Sequence, residues 1–114
     1  MNIFKSDQIK SLALYMISIF FLFPMNTEVV ANEKPIIDQA KSTVLITGSN
    51  RGIGLALAEN YAQQGWNVIA TCRKPNKAVD LISLREEYKN VNIERLDVTS
   101  QEQIKELAEK YNGI

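Results

Sequence analysis

The residues best placed to do chemistry lie in one short stretch, Thr47-Gly48-Ser49-Asn50-Arg51-Gly52-Ile53-Gly54. It follows a β-branched apolar run, Thr43 to Thr47, and opens a run in which Ile53, Leu57 and Tyr61 recur at helical spacing with alanines between them. A glycine-rich turn leading from a buried strand into a helix brings the main chain close to an anion. Gly48 allows the tight turn, Gly52 lets the backbone approach a diphosphate, and Gly54 lets the helix pack closely on the sheet. The helix start behind them offers free N–H groups and a partial positive charge. Gly48, Asn50, Arg51, Gly52, Ile53 and Gly54 are therefore the candidate diphosphate residues. The alternative is a glycine turn that binds nothing, and the strand-to-helix context weighs against it. No Lys-Ser or Lys-Thr pair follows Gly52, as a mononucleotide P-loop would need, and the spacing is GxxxGxG rather than GxGxxG.

Other elements must hold this loop. Asn67 to Thr71 reads as a second strand and Val91 to Leu96 as a third. Gly65 is placed to stop the first helix. Arg73 to Lys77, with Pro75, reads as a loop. Leu81, Leu84 and Tyr88 mark a second helix closing near Asn90, and Ile104, Leu107, Ala108 and Tyr111 mark a third. Thr99 with Glu102, or Ser100 with Gln103, fits a capping box at its start. Alternating elements of this kind predict an α/β fold: a partial Rossmann fold with a parallel sheet in strand order 3-2-1 and the first two helices on one face.

The spacing TGxxxGxG resembles that of the short-chain dehydrogenase/reductase family. Leu96-Asp97-Val98-Thr99 is similar to the family's motif after the third strand, which implies that Asp97 and Val98 sit against an adenine ring. TGSNRGIGLALAENYAQQGW, VIATCRKP and LDVTS together resemble the C-factor/sniffer-like branch, and the likeness runs from about Ser42 to the end. The cofactor then follows from charge. Folds that bind NAD place an acid after the second strand for the ribose 2′-OH. Here the position falls at Thr71-Cys72-Arg73 and carries no acid. Arg73 and the loop's Arg51 can instead pair with a 2′-phosphate, so NADP is expected over NAD. Each arginine has a plainer reading as a solvated surface charge, and Asp97 as a solvated turn residue before a capped helix.

Catalytic residues are harder to find. The resemblance implies a Tyr-x-x-x-Lys pair, an NNAG segment, and a Ser and an Asn ahead of the pair. Tyr15 is followed at that spacing by Ile19, Tyr61 by Gly65 and Tyr88 by Asn92, while Tyr111 is too near Ile114; NNAG is absent. No catalytic residue is carried over. There is no histidine and one cysteine, Cys72, which excludes Ser-His-Asp and Cys-His catalysis, an internal disulfide and most zinc sites. Cys72 reads as a small residue packed at a strand end. The 114 residues carry 13 Lys+Arg against 13 Asp+Glu and are 46% apolar, an ordinary globular composition with no electrostatic signal for nucleic acid.

Residues 1–31 differ from the rest. Lys5 and Lys10 precede an uncharged run from Ser11 to Thr27, whose apolar centre is Leu12 to Phe23; Pro24 ends it, and Val29-Val30-Ala31 follows. The pattern is that of a secretory signal peptide cleaved after Ala31, which implies an exported protein. An uncleaved membrane anchor through residues 11–27, or a cytoplasmic protein started at Met25, stays open. Residues 32–42 form a lead-in, and residues 43–114 the partial NAD(P)-binding domain. Three functions compete: a carbonyl or alcohol oxidoreductase, catalytically incomplete as read; a non-catalytic nucleotide-binding half-domain completed by another chain or by self-association; and a degenerate product without activity. The first strand would then be an exposed apolar edge, and the expectation is weak NADP binding by a marginally stable chain. Export also conflicts with a cofactor pool that is cytoplasmic.

Overall fold

The computed structural model describes residues 34–114. The leader expected at residues 1–31 lies outside the described residues. From Lys34 onward the order is β1 (Thr43–Ile46), α1 (Gly52–Gln63), β2 (Asn67–Cys72), α2 (Val79–Glu87), β3 (Val91–Arg95) and α3 (Gln101–Lys110). A single 3-10 turn, Pro75–Lys77, precedes α2 within the segment read as a loop.

The strands form one parallel sheet ordered β1-β2-β3, the 3-2-1 arrangement expected. Val44 pairs with Val68, Ile46 with Ala70, and Ala70 in turn with Ile93. Side chains alternate across a strand, so this register puts Val44, Ile46, Val68, Ala70, Cys72, Val91 and Ile93 on one face. There they join Ala58 and Ala62 of α1 and Leu81 and Leu84 of α2 in one core. The first two helices thus share a face, as right-handed crossovers require. Central β2 is buried at every position, the outcome for an apolar run between two paired strands with both faces covered.

Helix α1 meets the sheet differently from its expected stripe. Ile53 is 81% and Leu57 43% exposed, whereas Ala58 and Ala62 are buried. The sequence carries two apolar stripes around this helix. Methyl-sized side chains let the helix backbone come close to β2, so the alanine stripe faces inward, Ile53 and Leu57 face outward, and Tyr61 packs half-buried against the core. The helix ends as Gly65 implied. Gly65 takes φ +78°, its N–H donates to the Ala62 carbonyl and the Trp66 N–H to the Tyr61 carbonyl. That is a Schellman ending, and its usual apolar contact is the Tyr61–Trp66 ring pair at 4.9 Å.

Asn90 does not close α2, which already ends at Glu87. Its side-chain amide donates to the Ala62 carbonyl at 3.0 Å and the Trp66 carbonyl at 2.7 Å, locking the end of α1 to the turn before β3. The lead-in is also tied down. Buried Asn67 accepts the Asp38 N–H at 2.9 Å and donates to the carbonyls of Asp38 and Lys41. Asn92 exchanges two hydrogen bonds with the Ile36 backbone. These amides hold residues 36–41 across the amino-terminal ends of β2 and β3.

Helix α3 is capped by Ser100, whose hydroxyl accepts the Gln103 N–H. The box is half formed, because the Gln103 side chain accepts the Asp97 N–H at 2.8 Å rather than reaching back to Ser100. Of the expected stripe, Leu107 is buried while Ile104 stays 38% exposed. A polar latch holds the far end: Glu94 on β3 accepts the Tyr111 hydroxyl at 2.7 Å and pairs with Lys110 at 2.7 Å. Burial and the Glu94 carboxylate push the Tyr111 phenol well above its ordinary value. Among the described residues no helix is long and apolar enough to cross a membrane.

Candidate functional site

The carboxyl ends of the three strands open on the same edge of the sheet, and the glycine turn leaves β1 there. Ser49 fixes that turn. It is fully buried; its hydroxyl donates to the Ile46 carbonyl at 2.6 Å and its N–H to the Thr71 carbonyl at 2.9 Å. One residue therefore stitches the turn to the ends of both β1 and β2. Gly48 and Gly52 adopt φ +65° and +56°, a region open to glycine and strained for other side chains. At Gly54 the requirement is space. A β-carbon there would stand 2.3 Å from the Gly48 carbonyl oxygen and 2.8 Å from the Gly48 carbonyl carbon. Gly54 therefore serves the approach of the helix to its own loop rather than, as expected, to the sheet. The turn folds back over the first turn of α1, and that fold-back sets the contact.

Arg51 is the N-cap of α1, with extended backbone and no side-chain cap. The orphan N–H groups of the first helical turn have no capping side chain, and they carry the positive end of the helix dipole.

Beside the turn lies a cleft of about 580 Å³. Asn50 and Arg51 enter it from the loop; Arg73, Lys74 and Lys77 enter from the segment after β2. Arg95, Asp97 and Gln103 close it from the end of β3 and the start of α3. Five of these side chains are cationic and one is acidic. Among the described residues the ion pairs involve Lys41, Lys105 and Lys110, none of which lines the cleft. Among the described residues the five cations thus face the cleft without carboxylate partners at ion-pair distance.

The single acid is already engaged. Asp97 Oδ1 accepts the Thr99 N–H at 3.0 Å and the Thr99 hydroxyl at 2.7 Å. Those two bonds hold its carboxyl below the ordinary range, with further help from the charges of Arg73 and Arg95. Asp97 builds the turn before α3 and borders the cleft. Cys72 is buried, and burial pushes its thiol upward, which fits a packed strand-end residue.

Of the residues singled out from sequence, Asn50, Arg51, Arg73 and Asp97 come together around the cleft, and Gly48, Gly52 and Gly54 shape the turn beside it. Ile53 and Val98 do not line it; they are 81% and 58% exposed. Sequence reasoning missed Ser49, Lys74, Lys77, Arg95 and Gln103. A serine three residues after a strand, inside a glycine turn, is a recognisable local hydrogen-bonding signal. Nothing local marks Lys77 or Arg95; strand register and the 3-10 turn bring them in.

A glycine turn at the carboxyl edge of a parallel sheet, an uncapped helix start and a cationic cleft define a nucleotide-binding α/β protein. The short chain dehydrogenase family model matches residues 42–113. The chain belongs to that family of oxidoreductases. It is 44% identical over 71 residues to mouse (Mus musculus) retinol dehydrogenase 13, covering 60% of this chain and 21% of that protein. A carbonyl reductase from Pseudomonas aeruginosa PAO1, solved with NADP, superposes with a TM-score of 0.61 at 30% identity, covering 63% of this chain and 32% of that one. A short-chain dehydrogenase/reductase from Burkholderia multivorans, also with bound NADP, gives 0.59 at 38% identity and covers 64% and 32%. An oxidoreductase of Schizosaccharomyces pombe is 42% identical over 65 residues, 56% of this chain and 26% of its own. The chain spans a fifth to a third of the length of these relatives.

Proposed function

We propose that this chain is the NADP-binding portion of a short-chain oxidoreductase acting on a carbonyl or the corresponding alcohol. One observation carries the choice of NADP: five cations without ion-pair partners among the described residues, around the cleft beside the glycine turn, and no acid directly after β2. The residues fit the cofactor. The turn has no room for a side chain at Gly54, and the uncapped N–H groups at the start of α1 suit a diphosphate. Arg51 and Arg73 would hold the 2′-phosphate, as planar donors suited to two oxygens at once. Asp97 and Val98 would border the adenine. When bound, the cofactor supplies the hydride; this chain's residues bind it and exclude the unphosphorylated form. Related structures solved with NADP support the same reading, and the strings VIATCRKP and LDVTS extend it to the C-factor/sniffer-like branch.

A second reading, a nucleotide-binding half-domain without catalysis, rests on its own observation. Tyr61 and Tyr88 are followed four residues later by Gly65 and Asn92, so neither has the lysine that would tune a proton donor.

Titration of the purified chain with NADPH and NADH, read by nicotinamide fluorescence, tests the cofactor choice. NADPH is expected to bind about tenfold or more tighter, the scale of a charge-assisted hydrogen-bond pair. Arg73→Asp moves the preference toward NADH. Equal affinities in the wild-type chain would defeat the assignment. NADPH oxidation with a panel of aldehydes and ketones tests the half-domain reading: turnover by this chain would defeat it.

A further inference from the structure

Two cations in the cleft come from elements that the glycine turn does not explain. Arg95 is the last residue of β3 and pairs in register with Cys72, the residue immediately before Arg73. The Leu96 N–H donates to the Cys72 carbonyl at 2.9 Å, which fixes that register at the lip of the cleft. Arg73 and Arg95 therefore leave adjacent strands one register position apart, and both act on the same Asp97 carboxylate. Lys77 arrives by another route. Pro75 starts the 3-10 turn, the Lys77 N–H closes it onto the Lys74 carbonyl at 3.0 Å, and buried Ala78 roots it against the core. Lys74 precedes this turn as its N-cap and Lys77 ends it, and both line the cleft.

The charge exceeds what two arginines facing one phosphate would need. Five cations less Asp97 leave four positive charges in the cleft. A phosphate monoester carries roughly −1.5 to −2 near neutral pH, and a diphosphate diester adds two more. Unpaired like charges held together repel one another, so a cluster of this kind is best relieved by a polyanionic ligand.

We propose that Lys77 and Arg95 are specificity-determining residues, closing the anion site from the 3-10 turn and from β3 against the phosphate on the adenosine ribose. The proposal rests on the NADP reading above. It makes selection of the phosphorylated dinucleotide a property of three separate segments, the loop after β1, the turn before α2 and the end of β3.

The test uses the full chain and its Lys77→Ala, Arg95→Ala and Arg95→Lys variants, titrated with NADPH, NADH and adenosine 2′,5′-bisphosphate. Both lysine and arginine positions are exposed, and circular dichroism checks that each variant keeps its fold. Each alanine variant is expected to lose about fivefold to tenfold in affinity for NADPH and for the bisphosphate, with NADH changed less than about twofold. Arg95→Lys should recover most of the loss. If wild type prefers NADPH and Arg73→Asp abolishes the preference, but the alanine variants keep the wild-type NADPH/NADH ratio, this proposal fails and the NADP reading survives. If wild type shows no preference for NADPH, both fall. A loss of equal size for NADH would also overturn the proposal, because it would place these cations on the diphosphate.

Discussion

Gly54 leaves no freedom for a larger residue. The added methyl would meet a backbone carbonyl at 2.3 Å, and a backbone atom in a turn anchored by Ser49 cannot rotate aside as a side-chain tip can. Gly54→Ala is expected to cost about 1–3 kcal/mol, the range for overpacking a tight site. It should lower the thermal midpoint and, by pushing the Gly48 turn outward, weaken NADPH binding more than the stability loss alone explains. An unchanged midpoint would show that loop and helix are less closely apposed. At this scale the sequence was informative about glycines and poor about partners. A glycine's position announces where the backbone needs room, whereas the atom that occupies the room depends on how the loop folds back. Gly54 accordingly stands out in the sequence while the Gly48 carbonyl it faces does not, nor does the tie that Ser49 makes to two strands.

Among the α-helices, α3 is held least by apolar burial. Leu107 is its one buried residue, and the Glu94 carboxylate does the rest by accepting from Tyr111 and pairing with Lys110. Glu94→Ala should therefore speed amide hydrogen exchange through α3 and leave β2 protected; equal acceleration in both would mean that the latch serves the whole fold. The existence and order of the elements were legible because buried parallel strands and amphipathic helices leave different periods. Which stripe of α1 faces inward was not. Ile53/Leu57 and Ala58/Ala62 are both apolar, and hydrophobicity alone favours the larger residues, while close packing on β2 favours the smaller. Lys77 and Arg95 were hidden for a related reason: their convergence depends on register and a 3-10 turn, neither of which follows from local pattern.

For the molecule as a whole, acid is the revealing variable. Asp97 titrates below its ordinary value of 3.8 because the folded state stabilises its charged form. A depressed folded-state value means that the contribution is complete above the unfolded value and disappears as pH falls through the folded one. Melting curves of the wild-type chain should lose this contribution below about pH 4, and Asp97→Asn, which keeps an acceptor for Thr99 but no charge, should flatten that limb. Parallel curves for the two proteins would remove Asp97 from the acid response.

The opposite rim of the sheet is built otherwise. Asn67 and Asn92 fasten residues 36–41 there through carboxamide groups, which neither gain nor lose protons over the accessible range. Strong acid, below about pH 4, therefore loosens the molecule from one pole: the rim that carries Asp97 slackens first, while the carboxamide seam beneath the strands stays sewn.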